Sequence, residues 1–123
     1  MQCYFPVAPL SKYIDCFWYV ETQVPYTRER ILPMPTIELM INFGAPHLTF
    51  DIHNRTHATV RKQGWVAGLH THYILNQPLA ETRILGVRFR PGGAYPFLRV
   101  PLVELRNQVV DLDLLWGADG ERL

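Results

Sequence analysis

The run from Leu85 to Ala94, LGVRFRPGGA, constrains the fold of this chain more than any other feature. Apolar and cationic side chains alternate through Arg90, which is typical of a strand with one buried face. The Pro-Gly-Gly that follows ends this strand, since proline and glycine are strong markers of turns. An apolar pattern of helical period comes next. We therefore expect the chain to change from sheet to helix near residue 92.

The residues before this turn predict a series of short strands. Ten prolines and eight glycines divide the chain at short intervals, as is typical of many short strands and turns. The predicted strands lie at 15–23, 29–32, 36–43, 47–53, 57–61, 64–68, 70–76 and 83–90. A turn is expected at 54–56. Helical segments are predicted at 95–99, after Pro101, and near Leu112. Strands followed by short helices predict a mainly β fold, either a β-barrel or a double-sheet roll, with a short helical C-terminal extension.

Length and composition limit the classes of protein that this chain can belong to. A chain of 123 residues with 48% hydrophobic residues is enough for one domain. Its 12 basic and 11 acidic residues give a net charge of +1, which argues against nucleic-acid binding by this chain alone. The sequence shows no membrane span and no signal peptide, and two cysteines form no disulfide framework. We therefore expect a cytoplasmic protein without a membrane association.

Several segments, taken in order, resemble one family of bacterial regulators. They are 14–18 (IDCFW), 30–33 (RILP), 37–44 (IELMINFG), 66–68 (VAG), 85–93 (LGVRFRPGG), 100–105 (VPLVEL) and 111–117 (DLDLLWG). Together they resemble the N-terminal regulatory domain of AraC-type transcription factors, in a subgroup with a cupin-like sensor domain. The family usually has Asp-Gly after the proline, where this chain has Met34-Pro35.

The resemblance implies a division of the chain and a set of partners. Residues 1–91 would form a cupin-like β-barrel sensor core, and 92–123 a helical extension of the same domain. The helical extension would lead to a missing C-terminal helix-turn-helix domain, and that domain would bind DNA. The chain would sense an unknown small-molecule effector, form a homodimer, or do both, with no cofactor. We expect five apolar residues of the extension to be partly exposed as a coupling surface: Leu102, Leu105, Leu112, Leu115 and Trp116.

Two strong strands carry polar candidates for ligand binding. Arg88 and Arg90 share one face of their strand, and Glu38 and Asn42 share one face of theirs. If these faces line the interior, the four residues form a polar binding site. If they lie outside, the arginines are solvated or pair with Glu38 or Glu81. The apolar-inward arrangement, with Leu39, Ile41, Leu85, Val87 and Phe89 filling the lumen, is favoured.

Aromatic and histidine side chains add two further candidates for ligand binding. Trp18 lies in an aromatic strand and either packs in the core, the default for such aromatic residues, or stacks on a flat effector. His70 and His72 stand at positions i and i+2 of a predicted strand, so they share a face. Metal-binding cupins use such a pair, so the alternative function is a small metal-dependent cupin enzyme, with His47, His53 or His57 as a further ligand.

The metal-dependent alternative lacks a complete set of ligands. The nearest downstream carboxylate, Glu81, follows Pro78 and falls too late for the same strand. We therefore predict no metal and expect the histidines, His70 among them, at the surface or at the rim of a pocket. The lone serine, Ser11, has no neighbouring histidine, and no paired carboxylates occur at catalytic spacing. No catalytic residue and no enzyme activity are expected.

Overall fold

The computed structural model describes residues 2–23, 28–50 and 56–117, and these residues form a mainly β fold. The described strands are β1 (Gln2–Tyr4), β2 (Ile14–Thr22), β3 (Glu29–Ile31), β4 (Glu38–Asn42), β5 (His47–Phe50), β6 (Ala58–Arg61), β7 (Gly64–Ala67), β8 (Ile74–Pro78), β9 (Thr82–Phe89) and β10 (Val109–Asp111). Two short α-helices follow β9 in the chain, α1 (Tyr95–Leu98) and α2 (Leu112–Trp116). Single 3₁₀ turns lie at Leu10–Lys12 and Leu102–Leu105.

The strands form two antiparallel sheets. The larger sheet has six strands in the order β1-β2-β9-β4-β7-β10, and the smaller has four in the order β3-β8-β5-β6. The strand β9 lies inside the larger sheet, paired with β2 on one side and β4 on the other. The prediction of a mainly β double-sheet roll with a short helical C-terminal segment is therefore confirmed.

The hydrophobic core lies between the six-stranded sheet and the C-terminal segment. After β9, Gly92 adopts a φ of 75° and the Gly93 amide donates to the Arg90 carbonyl at 2.8 Å. A positive φ costs glycine little, so the chain can turn back here and cover the sheet. The buried core side chains are Ile14, Ile37, Leu39, Val66, Val87, Phe89, Ala94, Leu98, Leu105 and Leu112.

The opposite face of the six-stranded sheet looks toward the four-stranded sheet. Neighbouring residues of a strand point to opposite faces, so Trp65 and Asp111 point away from the core residue Val66. Trp65 contacts His47 of β5, with ring centroids 5.5 Å apart. Asp111 pairs with Arg61 of β6 at 2.9 Å. Leu39, Val87 and Phe89 are buried, as the apolar-inward interpretation expects, but they lie under the C-terminal segment and do not fill a lumen between the two sheets.

The C-terminal segment contributes to the sheet as well as covering it. Strand β10, which no sequence pattern predicted, pairs with β7 at the edge of the larger sheet. Leu105 and Leu112 are 3% and 1% exposed, so the prediction of partial exposure is wrong for these two residues. It is right for Leu102, Leu115 and Trp116, which are partly buried. Residues 118–123 of the predicted extension lie outside the described residues.

Two further details of the predicted strand pattern change in the structure. Strand β8 begins at Ile74 and continues to Pro78, so the prediction of a strand from residue 70 is wrong. The predicted turn at 54–56 lies mostly outside the described residues, although β5 and β6 do pair antiparallel.

Among the helices that the structure describes, none has the length and apolar character needed to cross a membrane.

Candidate functional site

Three of the predicted ligand-binding residues converge on the face that looks toward the smaller sheet. Arg88 of β9 and Glu38 of β4 are direct cross-strand partners, and the Arg88 Nε donates to Glu38 Oε1 at 2.8 Å. The Trp18 Nε1 donates to the same carboxylate oxygen at 3.3 Å. The side chains of Arg88 and Glu38 are 27% and 19% exposed. Glu38 therefore holds a partly buried cation and an indole together.

Strand β9 makes room for this cluster at a glycine. The Trp18 indole lies directly over Gly86, where an added Cβ would overlap its ring atoms. Cys16 is the cross-strand partner of Arg88, and burial raises the pKa of its thiol. The ion pair between Arg88 and Glu38 is one of the alternatives that the sequence left open, and it joins two strands of the larger sheet.

Arg90 and Asn42 lie apart from this cluster. The Arg90 Nε donates to the Ser11 carbonyl at 2.7 Å, and Nη1 lies 3.8 Å from Asp15 Oδ1. The Asn42 Nδ2 donates to the carbonyls of Ala45 and Lys62 at 2.9 and 2.8 Å, so its amide closes a turn. The structure therefore does not form the predicted four-residue polar site.

A buried histidine stands between the two sheets. His47 is 3% exposed, and its Nδ1 accepts a hydrogen bond from Asn76 Nδ2 at 3.2 Å. The other hydrogen of this amide goes to Glu29 Oε1 at 3.1 Å. The His47 Nε2 is buried without a hydrogen-bond partner among the described residues. Burial lowers the pKa of His47, because the charged imidazolium loses its hydration there.

A cleft of about 470 Å³ opens where the edge strands of the two sheets face each other. It is lined by Thr49, Phe50, His57, Thr59, Arg61, His70, His72, Tyr73, Ile74, Asn107, Gln108 and Val109. We call it the β6–β10 cleft, since β6 ends the smaller sheet and β10 ends the larger one. Its volume lies within the range of about 300–1,000 Å³ that small-molecule sites usually have.

Arg61 spans the β6–β10 cleft from one sheet to the other. Its Nε donates to Thr49 Oγ1 at 3.1 Å, and its Nη1 donates to Asp111 Oδ1 at 2.9 Å. The side chain is only 12% exposed. A guanidinium held on two sides in this way is pre-positioned, because little side-chain freedom remains to be lost on binding.

The loop before β8 places two histidines in the wall of the cleft and connects them to Asn107. The Thr71 amide and hydroxyl both donate to Asn107 Oδ1, at 2.8 and 3.2 Å. The His72 Nδ1 therefore donates to Thr71 Oγ1, at 2.8 Å. The His70 Nδ1 donates to the Gly68 carbonyl at 2.7 Å. These bonds at Nδ1 orient both rings.

These histidines do not have the geometry that the sequence predicted. Residues 70–73 precede β8 and are not a strand, so the expectation of a shared strand face does not apply to His70 and His72. Within 2–23, 28–50 and 56–117, no group of three or more His, Cys, Asp or Glu side chains is arranged to hold a metal ion. His53, one of the suggested further ligands, lies outside the described residues. His70 lines the β6–β10 cleft, at one of the two positions that the sequence left open.

Sequence reasoning missed the residues that build the other walls of the cleft. Arg61 ends a predicted strand, but nothing in its local pattern separates it from a solvated arginine. Asn107 has a φ of 57°, and its sequence offers no periodic signal. The Asn107–Val109 segment becomes a wall only through the pairing of β10 with β7.

Comparison with known proteins gives one match. A family model described as "Domain of unknown function (DUF6597)" matches residues 2–111. No curated protein matches this chain. No solved structure matches it either.

Proposed function

Since this chain belongs to the family described as a domain of unknown function (DUF6597), we propose for it the role of an effector-sensing domain in an AraC-type transcription regulator. The effector binds in the β6–β10 cleft. DNA binding belongs to a separate helix-turn-helix domain, and this chain supplies the sensing step. The sequence resemblance supports the regulator class, and the cleft supports the sensing role.

The mixture of polar and apolar residues that line the cleft is the observation that carries this proposal. Its lining combines many polar side chains with the apolar surfaces of Phe50, Ile74 and Val109. Small-molecule sites use polar groups to orient a ligand and adjoining apolar surface to add affinity. The cleft therefore offers both components of a site for a small organic molecule.

The C-terminal segment gives this site a route to the rest of the protein. Asn107, Gln108 and Val109 line the cleft, and β10 leads without a break from Val109 into α2. A ligand that touches these residues in one arrangement and not in another shifts the population of the two. Sensing then acts through β10 on α2 and on whatever α2 packs against.

Exposed apolar side chains support a second role in dimerisation. Val103 and Leu114 are 74% and 77% exposed, and Leu102, Leu115 and Trp116 are partly buried beside them. These residues belong to the same C-terminal segment that forms the cleft wall. A homodimer through this surface would couple the ligand to assembly.

A thermal-shift screen against sugars, carboxylates, phosphates and aromatic metabolites tests the sensing role. A ligand at a hundred times its Kd stabilises the folded state by about 2.7 kcal/mol, which raises the Tm by several degrees. Thr59→Trp fills the cleft, and Val60→Trp changes the next residue, which is 45% exposed on the other face of β6. We expect the shift to vanish in Thr59→Trp and to persist in Val60→Trp.

Two measurements on a screening hit separate a sensor from an enzyme. Sedimentation over a range of protein concentrations measures whether the hit changes the dimer Kd, as a sensor requires. Mass spectrometry after long incubation measures whether the hit is converted. Conversion of the hit, or a shift that both tryptophan variants retain, contradicts the proposed sensing role of the cleft.

A further inference from the structure

The chemistry of the β6–β10 cleft indicates the class of ligand that it binds. We propose that the cleft takes a small organic anion, a carboxylate or a phosphate, whose charged group is held by Arg61. This inference rests on the proposed sensing function and names its ligand class. It follows from the charge of the lining and from the hydrogens of Arg61 that no described residue uses.

The described side chains that line the cleft carry positive charge and no negative charge. Arg61 is the cation, three imidazoles share the lining with it, and no aspartate or glutamate is among the described lining residues. The remaining polar groups are hydroxyls and amides, which can donate a hydrogen bond to an anion. A lining of this kind favours an anionic ligand over a cationic one.

Arg61 keeps part of its guanidinium available for a ligand. Its Nε is used by Thr49 and one Nη1 hydrogen by Asp111. Among the described residues, no acceptor contacts Nη2. Carboxylates and phosphates accept from guanidinium hydrogens in short, charge-assisted bonds, and the low exposure of Arg61 strengthens such a bond by excluding water.

Asp111 competes with the ligand for this guanidinium. Its carboxylate is 33% exposed and reaches Arg61 through one oxygen only. An anion on the free side of Arg61 lies near this carboxylate and repels it. Since Asp111 is the last residue of β10 and directly precedes α2, binding weakens the contact between β6 and β10 at the start of α2.

Calorimetric titration with pairs of probes that differ only in charge tests the ligand class. The pairs are benzoate with benzamide, succinate with succinamide, and glucose 6-phosphate with glucose. We expect at least one anion to bind at least tenfold more tightly than its neutral partner. The pair that responds distinguishes a carboxylate from a phosphate.

Four variants locate the anion on Arg61. Arg61→Gln should weaken binding of the responding anion at least tenfold, and Arg61→Lys, which keeps the charge without the fork, should weaken it less. Asp111→Asn breaks the same ion pair but leaves Arg61 in place, so it should bind the anion as tightly or more tightly. Arg83→Gln is the matched control, because Arg83 is exposed and donates to the Phe43 carbonyl away from the cleft.

The outcomes separate this inference from the proposed function. Equal binding of charged and neutral partners, or binding of neutral molecules alone, overturns the anion inference and leaves the sensing role standing. Weakening by Asp111→Asn as large as that by Arg61→Gln shows that the ion pair is structural, and this also overturns it. If no probe binds and the wider screen gives no shift, both are wrong.

Discussion

The two faces of the six-stranded sheet differ in what they bury. One face presents Leu39, Val66 and Val87 to the C-terminal segment and excludes water almost completely. The other presents Glu38, Arg88 and Trp65 toward the smaller sheet, where polar groups bond to one another. Alternation along the same strands produces both surfaces.

This difference assigns stability to the apolar face of the sheet and ligand recognition to the polar face. Apolar burial contributes roughly 25 cal/mol per Å², and the core cluster under the C-terminal segment holds ten of the fourteen buried hydrophobic residues that the structure describes. A polar layer costs desolvation unless its groups are paired. The space between the sheets is therefore the place where a ligand can exchange hydrogen bonds at modest cost to the core.

The largest effect that tests this comparison is expected in the apolar layer, by which we mean the core residues between the six-stranded sheet and the C-terminal segment. Leu112 is 1% exposed and lies against Gly64. Leu112→Ala should lower the free energy of unfolding by about 2–5 kcal/mol, because it removes buried methyl groups and leaves a cavity. Urea unfolding measures this change.

Leu114→Ala is the matched control for this prediction. Leu114 belongs to the same helix but is 77% exposed, so its truncation should change the free energy of unfolding by less than about 0.5 kcal/mol. Similar losses in the two variants would show that the C-terminal segment does not hold the core.

The next largest change in the free energy of unfolding is expected in the polar layer, the side chains on the face toward the smaller sheet. It concerns the contact between Trp18 and Gly86. Gly86→Ala places a methyl group into the indole, and overpacking of this kind costs about 1–3 kcal/mol. Trp18→Ala removes the obstacle, so Gly86→Ala should cost much less in that background. A double-mutant cycle of unfolding free energies measures the coupling. Additive losses would mean that the two residues do not constrain each other.

The sequence predicted the fold better than it predicted the site, for a physical reason. Alternation along 36–43 and 83–90 locates β4 and β9 because a strand with two different faces must alternate. The turn at Gly92 is also predicted by neighbouring residues alone, because Pro91, Gly92 and Gly93 stand together there. Which face is covered by which layer depends on the path of the chain after Arg90, and no period of the sequence carries that information.

The cleft was less predictable because it is built from distant segments. Arg61 and Asp111 stand 50 positions apart and meet only through the pairing of the sheet edges. Strand β10 has three residues, too few to show a period. Strand alternation predicted that Glu38 shares a face with Asn42, and Arg88 with Arg90, while Trp18 was a separate candidate for stacking. In the structure Glu38 instead bonds to both Arg88 and Trp18.

A smaller effect is expected from the pair between Glu38 and Arg88. Glu38→Gln leaves Arg88 partly buried without its partner and should destabilise the fold by on the order of 1 kcal/mol. This value lies above that of most exposed pairs and below the roughly 3–5 kcal/mol of fully buried ones. The double variant Glu38→Gln with Arg88→Met should recover part of the loss, since no charge is then left unpaired. A double variant less stable than both single ones would contradict this account.

The last prediction concerns the pH dependence of the unfolding free energy, which we expect to arise at His47 between the two sheets. The pKa of His47 in the folded protein is lowered from its ordinary value of 6.5 by burial. Below pH 6.5 the unfolded chain therefore binds a proton that the folded protein does not, and stability falls as the pH decreases toward the lower folded pKa. For one proton the slope of the unfolding free energy is at most about 1.4 kcal/mol per pH unit.

Urea unfolding between pH 7.5 and pH 5 measures this slope, and His47→Gln should make it shallower. The groups that face His47 are Asn76, Glu29 and Trp65. Glu29 is the acidic group among these, and its attraction for an imidazolium opposes the effect of burial on the pKa of His47 without reversing it. Leu112→Ala is the control, because it weakens the apolar layer without removing a titratable group and should keep the slope of the original protein. If His47→Gln also keeps that slope, the pH response does not arise in the polar layer, and the contrast between the two faces does not extend to proton binding.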